Sequence, residues 1–417
     1  MHITELVQLL DAIPNSPFHT ISIESAVLNL LRQLGLSIGK SYLVKIHSDP
    51  YGVYLRVRHS KADTKFVWVS HLDHPAIVFD KNGQGHPVGS LGGVGVRGIS
   101  HIKQGQHPVQ VYSPVGELIQ ASSCEVKGSN LQLVNFDSLP SESVGIWDIE
   151  TRITQEAISM RSADNHIPTI VALQALERLV ANQAEIDVTL ILNSVEEVYQ
   201  LSMMRQMAQK GIPEIDLDFD NQTIFVVLEA MEMMPNLTFS QLNLVDPTYT
   251  DGVLLKVNDT SVVFGQLSGS EINRAEAIML NALNATERKF QYTVSSGTSD
   301  ATAISIFAGY SNIVCLAIPC RNKHNVSETG EITTEEVLVY DVDTAIEALI
   351  ASIKVDSLTP SQMLSTELKM SGLMNLSMVD EALVVRKRLL KRNAPRIEHR
   401  FYLANTILRK AMLVKAS

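Results

Sequence analysis

The sequence predicts an α/β protein with a mostly parallel central sheet covered by helices and a small β domain inserted into it. Three observations point there. Short continuous runs of strand-forming residues alternate with helical spacing on both sides of the chain's middle, the pattern of parallel strands buried on both faces. Between about Gly83 and Glu150 that pattern gives way to many glycines, short β-type runs and regular turn signals, with no long helical spacing. The chain has 417 residues, too many for one ordinary core and suited to two or three domains.

In order, Glu5–Ile13 and Glu24–Leu34 show helical spacing of apolar residues. Tyr42–Ile46 and Val53–Val57 are expected strands, joined by the turn residues Asp49, Pro50 and Gly52. Phe66–Val69 is a buried strand, and Val109–Tyr112 and Leu131–Val134 are short strands of the insert. Pro168–Val180 is an amphipathic helix. Val188–Leu192, Ile224–Leu228 and Ile313–Ile318 are further buried strands, with helices expected at Met203–Lys210 and Arg274–Leu283. The segment from about Thr359 reads as helical and polar to basic. No internal repeat or low-complexity tract is seen.

Composition excludes several classes. Hydrophobic residues are 45% and charged residues 19%, as in a soluble globular protein. No run reaches the ~18 apolar residues needed to span a bilayer. The N-terminus carries Glu5 and Asp11 and lacks a basic start, so no secretory leader is expected. The odd, sparse set Cys124, Cys315 and Cys320 points to reduced thiols in a cytoplasmic protein. A formal net charge of −11 argues against nucleic acid as the main partner. Against this, ten Lys or Arg residues between Arg386 and Lys415 face only Glu398. A solvated basic helix face or contact with an acidic subunit is favoured for this tail over nucleic-acid or membrane binding.

The stretch Val67–Phe79, VWVSHLDHPAIVF, raises the functional question: a buried strand stops at His71, Asp73 and His74. Alone this is compatible with a turn. Sites in open α/β sheets form outside the carboxyl ends of the strands, and just past each expected strand lies an acid or histidine. His71 and Asp73 follow Phe66–Val69, Glu196 and Glu197 follow Val188–Leu192, Glu229 follows Ile224–Leu228, and His324 follows Ile313–Ile318. Asp164 precedes the Pro168 helix. So many carboxylates together repel one another, and divalent cations remove that penalty. Two histidines with three or four carboxylates suit a pair of zinc-like ions, at ~2.0–2.2 Å per bond. A shared carboxylate would bridge ions about 3.5–4 Å apart, as in two-metal hydrolysis. Zinc or cobalt fits this nitrogen–oxygen mix better than calcium or magnesium. In the adjacent pair Glu196-Glu197, one carboxylate can ligate while the other takes a proton from water, although Glu-Glu pairs are also common at surfaces.

In this order the motifs resemble those of the M42 metallo-aminopeptidases, the glutamyl or tetrahedral aminopeptidase group. They are His-Leu-Asp (71–73), Ala-Asp-Asn (163–165), Glu-Glu (196–197), the strand-end acid Glu229, Gly-Thr-Ser-Asp (297–300) and Ile-Pro-Cys-Arg-Asn-Lys-His (318–324), followed by Glu328. Leu-Gly-Gly (91–93) and Val-Gly-Ile (144–146) resemble parts of the family's PDZ-like β domain. The resemblance covers about residues 1–350. It implies a zinc-peptidase-like catalytic domain from 1–75 and 158–356 and an inserted domain at 76–157 that serves oligomerisation, while the helical basic C-terminal extension at 357–417 has no clear counterpart in the family. It implies that His71, Asp164 and Glu229 hold one ion and Asp164, Glu197 and His324 the other. Glu196 would be the general base, and Asp73 would orient His71. The implied reaction is attack of a metal-bound hydroxide on the N-terminal peptide bond of a short peptide, with two zinc or cobalt ions per chain. A homo-oligomer, commonly a dodecameric shell, is also implied.

The chain departs from the family at several points. Glu229 stands where Asp is usual, Val198–Leu201 replaces a Val-Gly turn, and His74 replaces an acid. Asn322 replaces a Tyr, and Ser299 interrupts Gly-Thr-Asp. These bear on substrate preference more than on metal binding. Asp300 suits either support of the metal shell and substrate or a helix N-cap. Arg321 suits either a substrate carboxylate or pairing with an acid. His166 reads as structural. Met231, Met233 and Met234 suit a side-chain pocket or gap-filling. Two alternatives stay open: another di-metal amide hydrolase, such as a deacylase or carboxypeptidase, and a non-catalytic assembly or binding protein keeping the fold.

Overall fold

The computed structural model describes residues 2–93, 99–136, 138–233, 248–256, 258–259, 262–263, 273–293, 298–307 and 312–355. Two helices lead in, α1 (Ile3–Asp11) and α2 (Ile21–Ser37). Leu6, Val7 and Leu10 of α1 are buried at helical spacing. A hairpin of β1 (Tyr42–Asp49) and β2 (Gly52–His59) follows, and β3 (Lys65–His71) ends on the first site histidine.

The glycine-rich middle supplies β4 (Ala76–Phe79), β5 (Gln84–Val88), β6 (Gly105–Tyr112), β7 (Leu118–Lys127), β8 (Asn130–Val134) and β9 (Ser143–Trp147). These six close into a barrel in the order β4-β5-β8-β7-β6-β9. Its interior holds Ile77, Phe79, Val109, Val111, Leu131 and Leu133. Gly145 in β9 admits no side chain, because a Cβ there would lie 2.3 Å from the Phe79 ring.

The chain then re-enters the main body through β10 (Arg152–Ile153), β11 (Ala157–Met160), α3 (Ala163–Ala181) and β12 (Asp187–Asn193). Next come α4 (Leu201–Gln209), a short ribbon of β13 (Gly211–Ile212) and β14 (Leu217–Asp218), and β15 (Ile224–Glu232). After β16 (Val253–Lys256), the pair β17 (Asn258–Asp259) and β18 (Val262–Val263) precedes α5 (Arg274–Ala285). Asn273 caps α5 by accepting the Glu276 N–H at 3.0 Å. The described chain closes with β19 (Phe290–Thr293), α6 (Asp300–Phe307), β20 (Ile313–Arg321), β21 (Glu335–Leu338) and α7 (Val339–Val355).

Among the described residues the main sheet has 11 strands, nine in the order β1-β2-β12-β3-β15-β20-β21-β11-β10, with β16 on β20 and β19 on β16. Only its centre matches the expectation of a mostly parallel sheet. β12, β3, β15 and β20 are mutually parallel, while β1, β2, β21, β11 and β10 run antiparallel to their neighbours. For β1 and β2 the reason is connection length. Parallel neighbours need a long crossover, whereas Asp49 pairs with Gly52 across a tight turn. The central strands are buried on both faces, as their continuous apolar runs require. Phe66 and Trp68 of β3 join the larger core cluster, while Val67 and Val69 join the cluster on the opposite face.

All three cysteines are buried and free. No helix among the described residues is long and apolar enough to cross a membrane. The basic segment 357–417, Met234 and Gly297 lie outside the described residues.

Candidate metal centre

The four parallel strands deliver their chemistry at one edge. His71 ends β3, Glu196 and Glu197 follow β12, and His324 follows β20. Glu229 lies within β15, which runs further than its apolar core suggested. Asp164 comes from the start of α3, where Asp164 and Asn165 have non-helical backbone angles and a cis peptide bond between them. Helical geometry begins after them, so Pro168 falls in the first true turn, where its missing N–H does no harm. Asn165 ties this segment to the sheet, donating to the Leu228 carbonyl (2.8 Å) and Ser70 Oγ (3.0 Å).

The expected donors converge. His71 Nε2 lies 3.4 Å from Asp164 Oδ1, 3.7 Å from Glu229 Oε1 and 3.8 Å from Glu196 Oε2. His324 Nε2 lies 3.0 Å from Glu197 Oε1 and 3.3 Å from Asp164 Oδ2. His71, Asp164 and Glu197 each present one ligand atom within 4.8 Å of the other two. This cluster draws on both ligand sets the resemblance implies, and Glu229 is not in it.

Both histidines have one nitrogen engaged. His71 Nδ1 lies 3.0 Å from the Asp73 carbonyl oxygen, and His324 Nδ1 lies 2.9 Å from the Ser90 carbonyl oxygen. Each Nδ1–H donates there, which leaves each Nε2 facing the cluster. Among the described residues His71 Nε2, His324 Nε2 and Asp164 Oδ1 accept or donate no aligned hydrogen bond, and Asp164 Oδ2 has only the Lys323 ammonium at 2.9 Å. Buried polar atoms are rarely left this way. Unsatisfied nitrogen and oxygen donors facing one another fit divalent cations of the zinc or cobalt kind.

The electrostatics separate the two glutamates. Burial pushes the Glu196 carboxyl well above the usual range, and Glu229, Glu197 and Asp300 push it further. Burial acts the same way on Glu197, but His324 overrides it and brings Glu197 below its ordinary value. Burial opposes charge on His324, yet Glu197 and Asp164 raise it to about 10. Asp164 is held well below its usual value against the effect of burial, by Lys323, His324 and His71.

Asp73 touches both His71 and the glutamate turn. Its carboxylate accepts the backbone N–H groups of Glu196 and Glu197, both at 3.0 Å, and its Oδ1 is 3.6 Å from His71 Nδ1. It therefore fixes the glutamate turn, while its own carbonyl holds the histidine. Asp300 is buried as the first residue of α6, receives Asn193 Nδ2 at 2.6 Å, and is pushed by burial to about 7. Arg321 is more than half exposed, lies 3.9 Å over the Tyr249 ring and reaches Glu336 at 3.4 Å, so it pairs with an acid. His166 is buried against Asn15 (3.1 Å) and Leu72 O (3.3 Å) and is pushed by burial to about 3.

Three residues escaped the sequence reading. Glu335 receives the Asp164 N–H (2.7 Å), the His324 N–H (2.5 Å) and His74 Nε2 (3.0 Å), bracing both ends of the cluster. Gln200 donates to Glu196 Oε1 at 3.1 Å. Lys323 places its ammonium 2.9 Å from Asp164 Oδ2. Only their nearness to residues already singled out could have marked Gln200 and Lys323. For Glu335, set in an ordinary-looking Glu-Glu strand, no such signal exists.

The model of the M42 glutamyl aminopeptidase family matches residues 142–334. No curated protein sequence matches. Among solved structures, a TET aminopeptidase from a marine-sediment archaeon of the Thaumarchaeota superposes with a TM-score of 0.64 at 15% identity, over 87% of this chain and 98% of that one. An aminopeptidase from the archaeon Desulfurococcus kamchatkensis gives 0.60 at 19% identity, over 87% and 96%. The TET1 peptidase of Pyrococcus horikoshii gives 0.61 at 15%, over 84% and 98%. At such identities the likeness is one of fold.

Proposed function

We propose that this chain, a peptide-bond hydrolase of the M42 type, is an aminopeptidase that removes N-terminal residues from short peptides. The observation that carries the reading is the meeting of the His71, Asp164 and His324 donor atoms, with both Nε2 atoms unsatisfied, at the carboxyl edge of the parallel strands. In this reading the donors form two cation positions sharing Asp164: His71, Asp164 and Glu229 on one side, and Asp164, Glu197 and His324 on the other. Zinc or cobalt ions, when bound, would polarise a peptide carbonyl and acidify a water molecule.

The chain's own residues supply the proton chemistry. Gln200 holds Glu196 Oε1, and Oε2 faces the cluster. Oε2 is the atom that takes a proton from the attacking water and passes it to the leaving amine. The opposite displacement of the two adjacent carboxyls suits Glu196 to proton transfer and Glu197 to ligation. Asp73 keeps both in place through their backbone N–H groups.

We further read residues 1–75 and 158–356 as the catalytic domain, and the barrel within 76–157 as the counterpart of the family's PDZ-like insert and a contact module for a homo-oligomer. The Pyrococcus TET1 peptidase assembles into a tetrahedron or a large octahedral shell, and the shared fold is what supports an assembly here.

The test is a panel of aminoacyl anilides and N-acyl amino acids on cobalt- or zinc-loaded protein. Anilide hydrolysis is expected, falling about 10²–10⁴-fold in Glu196→Gln with metal content unchanged. Hydrolysis of N-acyl amino acids alone would move the reading to a deacylase. No hydrolysis at full metal loading would remove the enzyme.

A further inference from the structure

We propose that the Lys323 ammonium is a built-in cation on the Glu229 side of the centre, so that the chain binds one divalent ion tightly, in the His71–Asp164–Glu197 cluster, and not two. This rests on the metal-centre reading above and departs from its second cation position.

Lys323 sits in a made-to-measure site. An ammonium has three N–H donors, and three oxygens surround this one: Asp164 Oδ2 at 2.9 Å, the Ala230 carbonyl at 2.9 Å and Glu229 Oε1 at 3.3 Å. Its side chain is only 14% exposed, so water does not take their place. Neighbouring side chains normally diverge, yet Lys323 and His324 both point into the same cavity. Left-handed backbone at Asn322 (φ 54°) and His324 (φ 64°) makes this possible, and Asn322 Nδ2 pins the turn to the Thr334 carbonyl at 3.1 Å.

The remaining donors divide accordingly. His71, Asp164 and Glu197 each present a ligand atom within 4.8 Å of the other two, a group that does not include Glu229. A second divalent ion bound by His71, Asp164 Oδ1 and Glu229 Oε1 would have to displace the ammonium from Glu229 Oε1, or stand beside a like charge with little water between. Lys323 thereby supplies a fixed positive charge where a paired centre would carry a second ion.

Equilibrium dialysis of the full-length chain against cobalt, counted by plasma mass spectrometry, decides the matter. One tight ion per chain is expected for the wild type and for Lys323→Arg, and two for Lys323→Met, which keeps the stem and removes the charge. Circular dichroism melts establish that each variant is folded. If Lys323→Met does not fold, the wild-type count still decides, because two ions of affinity within ten-fold overturn the proposal while leaving the metal centre standing. A Lys323→Met count equal to that of the wild type also overturns it. No bound cobalt on any form overturns both the proposal and the metal centre beneath it.

Discussion

Asp73 does its work through the backbone. Its two oxygens each accept an N–H from the Glu196-Glu197 turn, and it is fully buried, so water cannot substitute for either bond. In Asp73→Asn one oxygen becomes an NH₂ that faces a backbone N–H donor. A buried group left unsatisfied in this way costs ~1–3 kcal/mol. Displaced supports around a metal centre typically lower activity or affinity by about 10–100-fold. Anilide hydrolysis in Asp73→Asn should therefore fall by about that factor and the midpoint of urea unfolding should drop, while the Asp73 carbonyl still orients His71. Unchanged kcat and unchanged midpoint would show that the turn holds itself. Side chains that ligate were legible here because acids and histidines past strand ends are rare enough to notice. Side chains that bond to backbone N–H groups, as Asp73 and Glu335 do, leave no pattern in the sequence, because their partners are common to every residue.

At the scale of elements, the strands and helices follow from spacing, and their ends do not. β15 continues through Glu229 to Glu232 because it pairs with β20 up to Cys320, a contact of long sequence separation. α7 carries a local inconsistency of the same origin. Asp341 in its first turn is where an acid suits the helix dipole, yet the residue is buried and neither oxygen has a hydrogen-bond partner among the described residues. Burial raises its carboxyl to about 7. The unfolded value is ~3.9, so between the two the folded state holds more protons than the unfolded state. Stability from this group therefore falls as pH rises from about 4 to 7 and stays reduced above. At ~1.4 kcal/mol per pKa unit the effect is capped near ~4 kcal/mol, and partial access of solvent lowers it. Asp341→Asn should raise stability by roughly 1–3 kcal/mol at pH 8 and by little near pH 4.5, measured by urea unfolding at the two values. A variant less stable at pH 8 would mean that the ionised carboxylate has a favourable role in the fold.

The whole molecule sets what no single element could. Convergence of His71, Glu197 and His324 was legible only by assuming that their strands are parallel neighbours, and the central four are. The same assumption failed for the outer strands, of which β1–β2 and β10–β11 are hairpins that need no crossover. Assembly is the property at this scale most open to test. Val115 (58% exposed) and Leu118 (59%) project from the β6–β7 turn of the barrel. The Val115 carbonyl accepts Ser22 Oγ at 3.4 Å, which brings that turn against the start of α2, where Phe18 (61%) and Ile21 (58%) are also exposed. Large apolar side chains from two parts of the chain meet at this corner, the place where the proposed contact between copies would fall. Acceptance of the barrel as the contact module makes a second copy of this chain the occupant. An uncompensated carboxylate buried in such an interface costs several kcal/mol, whereas on a free surface it changes stability by less than about 0.5 kcal/mol. The double substitution Val115→Asp and Leu118→Glu should therefore leave the melting temperature of the subunit unchanged and its anilide hydrolysis within a few-fold of wild type, while light scattering shows the assembly broken into smaller species. A wild type that is already monomeric, or a variant of undiminished mass, would place the contacts elsewhere or remove them.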